Sequence, residues 1–219
     1  MHLDFSQIVP AIPYMLRGVL VTLEFTLASA VVGFLWGTLL SLIKIARYRP
    51  LQWFGIAYTS VFRGTPLIVQ LTLIYFAIPQ LTGFDISQFQ AGVLTFGLNS
   101  AAYISETIRG GILAVDKGQR EAALSLGVPY KRMMLDIILP QAVKNILPAL
   151  VNESIALLKD SALISTIGGA DLLRRATIVG ADTFKYFEPL IIVAFTYYLL
   201  VMLLTWAARG LERRIRRSD

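Results

Sequence analysis

D-K-G-Q-R-E-A-A-L-S-L-G-V-P-Y-K-R-M-M-L-D-I-I-L-P, residues 116–140, decides how the rest of this chain is read. The stretch lies between long apolar segments, yet it carries Asp116, Lys117, Arg120, Glu121, Lys131, Arg132 and Asp136. That density of charge is too costly in hydrocarbon, so the stretch must surface in water. Glu121 to Leu126 suits a short helix. Gly127-Val128-Pro129 ends it, because glycine favours a C-terminal cap and proline opens the next helix. The small Ala122 and Ala123 are expected to leave a shallow notch that another protein's surface can approach closely.

Outward from this loop the chain reads as membrane. Of its 219 residues 56% are hydrophobic and only 16% charged, with a mean hydropathy of +0.65; a soluble domain of this length carries more charge. The absence of cysteine excludes disulfides, a thiolate nucleophile and cysteine metal sites. His2 is the single histidine, and so near the terminus it reads as solvated. Without H-E-x-x-H or G-x-S-x-G there is little from which to build an intramembrane enzyme. Without G-x-x-x-x-G-K-[ST] the chain has no phosphate cradle of its own.

Residues 1–14, punctuated by Pro10 and Pro13, lack the basic start of a signal peptide. Apolar runs follow at roughly 15–43, 52–79, 89–114, 137–158 and 187–208, each longer than the about 20 residues a bilayer requires. The expectation is an all-α integral membrane protein, one domain over 1–219, with five transmembrane helices. Gly33-x3-Gly37 in the first run offers a flat strip for close helix packing, and Glu24 there is expected to face protein. The second run contains Arg63-Gly64-Thr65-Pro66, where Gly64 and Pro66 loosen the helical ladder and freed backbone groups need partners. Residues 159–186 read as a short helix and loops.

The formal charge is +6 and the pI about 9.7. Its placement matters more than its sum. Lys44, Arg47 and Arg49 lie in the first loop; Lys117, Arg120, Lys131 and Arg132 in the third; Arg209, Arg213, Arg214, Arg216 and Arg217 in the tail. With five spans these fall on one side, which places the N-terminus outside and the C-terminus in the cytoplasm. This is membrane orientation, and nucleic acid is not an expected partner.

Glu121-Ala122-Ala123, Gly127, Ile137, Leu139 and Pro140 fill the pattern E-A-A-x3-G-x9-I-x-L-P. It resembles the cytoplasmic loop of permease subunits of bacterial ATP-binding-cassette importers. Phe62-Arg63-Gly64-Thr65-Pro66-Leu67, Ala102-Tyr103-Ile104-Ser105-Glu106 with Arg109-Gly110-Gly111-Ile112, and Leu157-Leu158-Lys159-Asp160-Ser161-Ala162-Leu163 are similar to the polar amino acid branch of that family. The resemblance covers nearly the whole chain. It implies a type I importer permease fold in a bacterial inner membrane. Glu121, Ala122, Ala123 and Gly127 then belong to a coupling helix that docks on the ATPase. The implied complex holds two ATPase subunits, which carry ATP and Mg, a second identical or related permease and an extracytoplasmic solute-binding protein. This chain itself is expected to hold no cofactor. A passive channel, the other non-enzymatic reading, has no need of an E-A-A loop.

Intramembrane polar groups supply the candidates for substrate contact. Asn99, Tyr103 and Glu106 recur at i, i+4 and i+7 on one helical face, as do Arg63, Leu67 and Gln70. Glu153 and Asp160 are two turns apart, with Asn152 beside that stripe. Glu106 with Arg63 or Arg109 is expected as a structural bridge. Asn99 and Tyr103 serve equally as interhelical glue or as ligands, and Asp160 either as ligand or as a solvated end. Glu153, in mid-span beside Pro148, is the favoured functional acid. Carboxylates favour a cationic side chain, so the expected cargo is arginine, lysine or histidine, with a neutral polar amino acid such as glutamine the alternative.

Overall fold

The computed structural model describes residues 4–46 and 48–216. His2, Arg47 and Arg217 lie outside them. Among the described residues the regular elements are all helical. They are α1 (Ile12–Ile45), α2 (Arg49–Gly64), α3 (Leu67–Thr82), α4 (Gln88–Leu113), α5 (Lys117–Ser125), α6 (Leu139–Asp160), α7 (Leu172–Thr183) and α8 (Phe187–Arg216). One π-helical stretch, Leu73–Ala77, lies within α3, and another, Met133–Ile138, leads into α6.

Three described helical segments, Val9–Ile45, Tyr130–Ile167 and Phe187–Arg214, are long and apolar enough to cross a membrane. The second expected run is not straight. α2 and α3 meet at 104° across Thr65-Pro66, and count as a fourth crossing only if the bent pair is one span. α4 has the length, about 39 Å at 1.5 Å per residue, but not the hydropathy. The reason is its position. It is wrapped by the other helices and buries Gly92, Thr95, Gly97, Ser100 and Ser105, so its sequence answers to protein and not to lipid.

The α1–α4 pair is the most extensive packing in the chain. The Gly33-x3-Gly37 strip makes it possible: a Cβ on Gly33 would stand 2.9 Å from the Cβ of Ser100, and one on Gly37 2.8 Å from that of Ile104. Outside this strip the core is built from Phe25, Leu71, Phe96, Leu157 and Ile164, with the Phe25 and Phe96 rings edge to face at 4.9 Å. Glu24 stands on the exposed face of α1, where no part of this chain covers it, because Phe25 and Thr26 take the inward positions.

Between α6 and α8 the chain forms a short 3-10 stretch, Ser161–Ile167, and then α7, whose N-cap is the fully buried Asp171. Asp171 accepts from the backbone N–H groups of Arg174 and Leu173, at 2.9 and 3.2 Å, and from the Tyr197 hydroxyl at 3.4 Å. Burial pushes its carboxyl up to about 6, against those donors, which favour the charged form. Asp4, tied to Lys185 at 2.7 Å, is held well below the usual carboxylate range by that ammonium.

Candidate functional site

The break between α2 and α3 frees backbone carbonyls inside the bundle, and side chains close them. Gln70 Nε2 donates to Phe62 O at 2.9 Å and to Thr65 O at 3.1 Å. Asn99 Nδ2 donates to Phe62 O and to Gln70 Oε1, both at 3.0 Å. The Asn99 amide is therefore committed to the break. Without it Phe62 O would keep Gln70 as a donor, but Gln70 Oε1 would lose its own, at a cost of about 1–3 kcal/mol. Leu67 packs against the Phe25–Phe96 core and is likewise engaged within the chain.

The other α4 positions are occupied by neighbours too. The Arg63 guanidinium lies 5.3 Å from the centre of the Tyr103 ring, a cation–π contact on an exposed face. Glu106 forms the expected bridge with Arg109, at 2.8 Å, but its second partner is Lys44 at 2.6 Å and not Arg63. Lys44 also donates to Ser105 Oγ at 2.9 Å, and its side chain is only 4% exposed. Sequence reasoning placed Lys44 in a basic loop. It is the last turn of α1, folded back into the bundle, and only the nearness of Glu106 in space reveals it.

The α6 residues are differently placed. Glu153 is half-buried and, with Ser154 and Leu157, lines a cavity of about 330 Å³ walled on the other side by Val31, Phe34 and Leu35 of α1. That volume is at the lower end for a small-molecule site. Asn152 and Asp160 face outward. Asn145, Asn152 and Lys159, seven residues apart, make an exposed polar stripe along α6, with the small Ala149 exposed between them. The expected α4 stripe and the α6 acids are thus not one continuous lining: the first is engaged by α1, α2 and α3, while of the second Glu153 faces the cavity against α1 and Asp160 is exposed.

At the far end of the bundle α5 realises the loop with which the sequence began. Asp116 caps it, accepting from Gly118 N at 2.7 Å. It closes with Gly127 at φ +69°, donating to Leu124 O, while Val128 N donates to Ala123 O, both at 3.0 Å. This is a Schellman closure, in which glycine adopts the left-handed backbone without a Cβ penalty. Ala123 is not part of an exposed notch. It is buried with Val115, Met133, Ile138, Ala142 and Ile146, because the closure turns that face inward. Glu121, Ala122, Leu124 and Leu126 remain exposed.

Residues 29–217 match the family described as binding-protein-dependent transport system inner membrane component. An arginine transport system permease protein, ArtQ, of Bacillus subtilis strain 168 is 53% identical over 219 residues, covering both chains completely. A putative glutamine transport system permease protein, GlnP, of Rickettsia felis is 50% identical over 206 residues, 94% of each chain. Among solved structures, a chain of an amino acid ABC transporter crystallised with histidines superposes with a TM-score of 0.93 at 44% identity, over 98% of this chain and all of that one. With the α5 loop, the break and the α1–α4 packing in place, the chain belongs to the binding-protein-dependent inner membrane components, the permease subunits of ATP-binding-cassette importers.

Proposed function

We propose that this chain is the translocating permease of an ATP-driven importer of polar amino acids, with arginine, lysine or histidine as the favoured cargo. It works by alternating access, as one membrane domain over 1–219 with five spans, the N-terminus outside and the C-terminus in the cytoplasm of a bacterium. α2 with α3 supplies the second span and α4 the third. The observation that carries this reading is the α6 stripe. Asn152 and Lys159 are exposed on a helix apolar enough to span, in line with Asn145, whose amide already reaches Gly111 O at 3.4 Å. Lipid cannot solvate them, so a second permease and the water-filled route between the two copies must.

Glu153 and Asp160 supply negative charge on this helix, which favours a cationic side chain or the substrate ammonium. Arg63, exposed beside Tyr103, is the counterpart suited to a carboxylate. At the cytoplasmic end Glu121, Ala122 and Gly127 present α5 to the ATPase, with Ala123 anchoring it from within. Two ATPase chains carry ATP and Mg, and a solute-binding protein delivers cargo on the outer face. Glutamine as cargo is the second reading, favoured by the GlnP relatives and by the mostly apolar wall of the Glu153 cavity.

Uptake into proteoliposomes containing the full complex and saturating binding protein tests this directly. ATP-dependent accumulation of arginine, lysine or histidine ahead of glutamine supports the cationic reading. Glutamine ahead of all three selects the second. Flux without ATPase or ATP would overturn both.

A further inference from the structure

The last turns of α8 carry a feature that the transport reading leaves unassigned. α8 runs for 30 residues, about 45 Å at 1.5 Å per residue, against about 30 Å of hydrocarbon. Leu199, Met202 and Leu203 are exposed apolar residues past its first three turns, and no residue from Val201 to Arg214 is buried. Directly beyond them comes a groove of about 470 Å³ lined by Trp206, Arg209, Gly210, Arg213 and Arg214. Trp206 is 78% exposed. Gly210 has nothing within 4 Å of where a Cβ would stand, so the floor of the groove is open. Arg209, Arg213 and Arg214 are exposed and none takes part in an ion pair within the described chain. Glu212 is the one acid in these turns.

We infer that this groove binds the headgroup of an anionic phospholipid in the cytoplasmic leaflet. The inference rests on the orientation proposed above. A guanidinium matches a phosphate bidentately, and an exposed tryptophan one turn earlier sits where amphipathic rings partition, at the level of the headgroups. Arginines clustered just beyond a spanning helix attract an anionic leaflet. Position argues for lipid and against the ATPase: the cluster that supports the coupling helix contains no residue of α8, and the surface leading to the groove is apolar on a peripheral helix.

The test uses the full chain, with Trp36→Phe and Trp53→Phe so that Trp206 alone reports, in nanodiscs holding brominated phosphatidylglycerol or brominated phosphatidylcholine in equal amount. Preferential quenching by phosphatidylglycerol is expected, weakened by salt and falling roughly fivefold for each arginine changed to glutamine. Arg213→Lys keeps the charge and should retain most of the preference, which separates loss of binding from loss of fold. Equal quenching by the two lipids, or a preference unchanged in the triple glutamine variant, overturns the proposal. So does a triple variant that sheds the ATPase while keeping its lipid preference, since the groove would then be a protein interface. Labelling of Glu212→Cys in sealed vesicles checks the orientation independently, and the lipid readout requires no transport.

Discussion

α6 and α8 from Leu199 onward each leave a face uncovered and differ in what they expose. α8 presents Leu199, Met202, Leu203 and Trp206; α6 presents Asn145, Asn152 and Lys159. In a water-soluble protein the α8 surface would be the anomaly. In a bilayer the sign reverses. The apolar face is satisfied by lipid as it stands, and the polar face is unfinished until another surface covers it. α5 is a third uncovered surface, lying in water, where Glu121 and Arg120 need no partner and Leu126 does.

The largest effect is expected where an unfinished surface meets its partner. Gly127→Asp forces a side chain into a left-handed backbone and adds charge beside the proposed docking face. The chain should still insert, while substrate-stimulated ATPase activity of the reconstituted complex is lost; Glu121→Lys should behave alike. Normal stimulation and uptake in both variants would remove α5 from the coupling role.

Next comes the contrast itself. Leu199→Lys places an ammonium on the lipid face, at a cost of about 2.5–3.5 kcal/mol near mid-bilayer. Asn152→Lys on the α6 face should cost far less, because water or a partner reaches it. The yield of membrane-inserted protein reads the difference. Equal losses would mean that α6 also faces lipid.

A polar group already covered within the chain should answer to pH. The Asp171 carboxyl, raised to about 6 in the fold, has an ordinary value near 3.9 when unfolded. The folded state therefore binds the proton more tightly. This contribution is fully present below about pH 4 and is lost as pH rises through 6, on the order of 2–3 kcal/mol. Asp171→Asn should flatten that part of the stability profile, measured by thermal unfolding in detergent between pH 4 and 7. A profile unchanged by the substitution would show that water reaches the site.

The first, fourth and fifth runs were legible because hydropathy reports lipid, and each returns as a helical segment long and apolar enough to cross; the second is bent and the third falls short in hydropathy. Gly64 and Pro66 announced a break. What closes the break was not legible, since Asn99 and Gln70 are 29 residues apart and only packing brings their amides within 3.0 Å. Lys44 was misplaced for the same reason. Ala123 was misassigned because composition gives the number of inward positions on a helix but not their phase. The α6 stripe lies in the sequence as a seven-residue spacing, but only burial shows which face of the helix is uncovered.

The smallest expected effect discriminates most finely between cargoes. Glu153 is half-buried at the cavity between α1 and α6, where its carboxylate either pairs with a cationic side chain or stays solvated. Glu153→Gln keeps the shape and removes the charge. A charge-assisted hydrogen bond in such a site contributes roughly 1.5–3 kcal/mol. Loss of about 1.4 kcal/mol is a factor of ten in affinity. Arginine or lysine uptake should therefore fall about tenfold or more at saturating binding protein, and glutamine uptake much less. Equal losses for cationic and neutral cargo would make Glu153 a packing residue of the α1–α6 seam. An unchanged cationic rate would leave selection to the binding protein, and the uncovered face of α6 would then be a passage that does not choose.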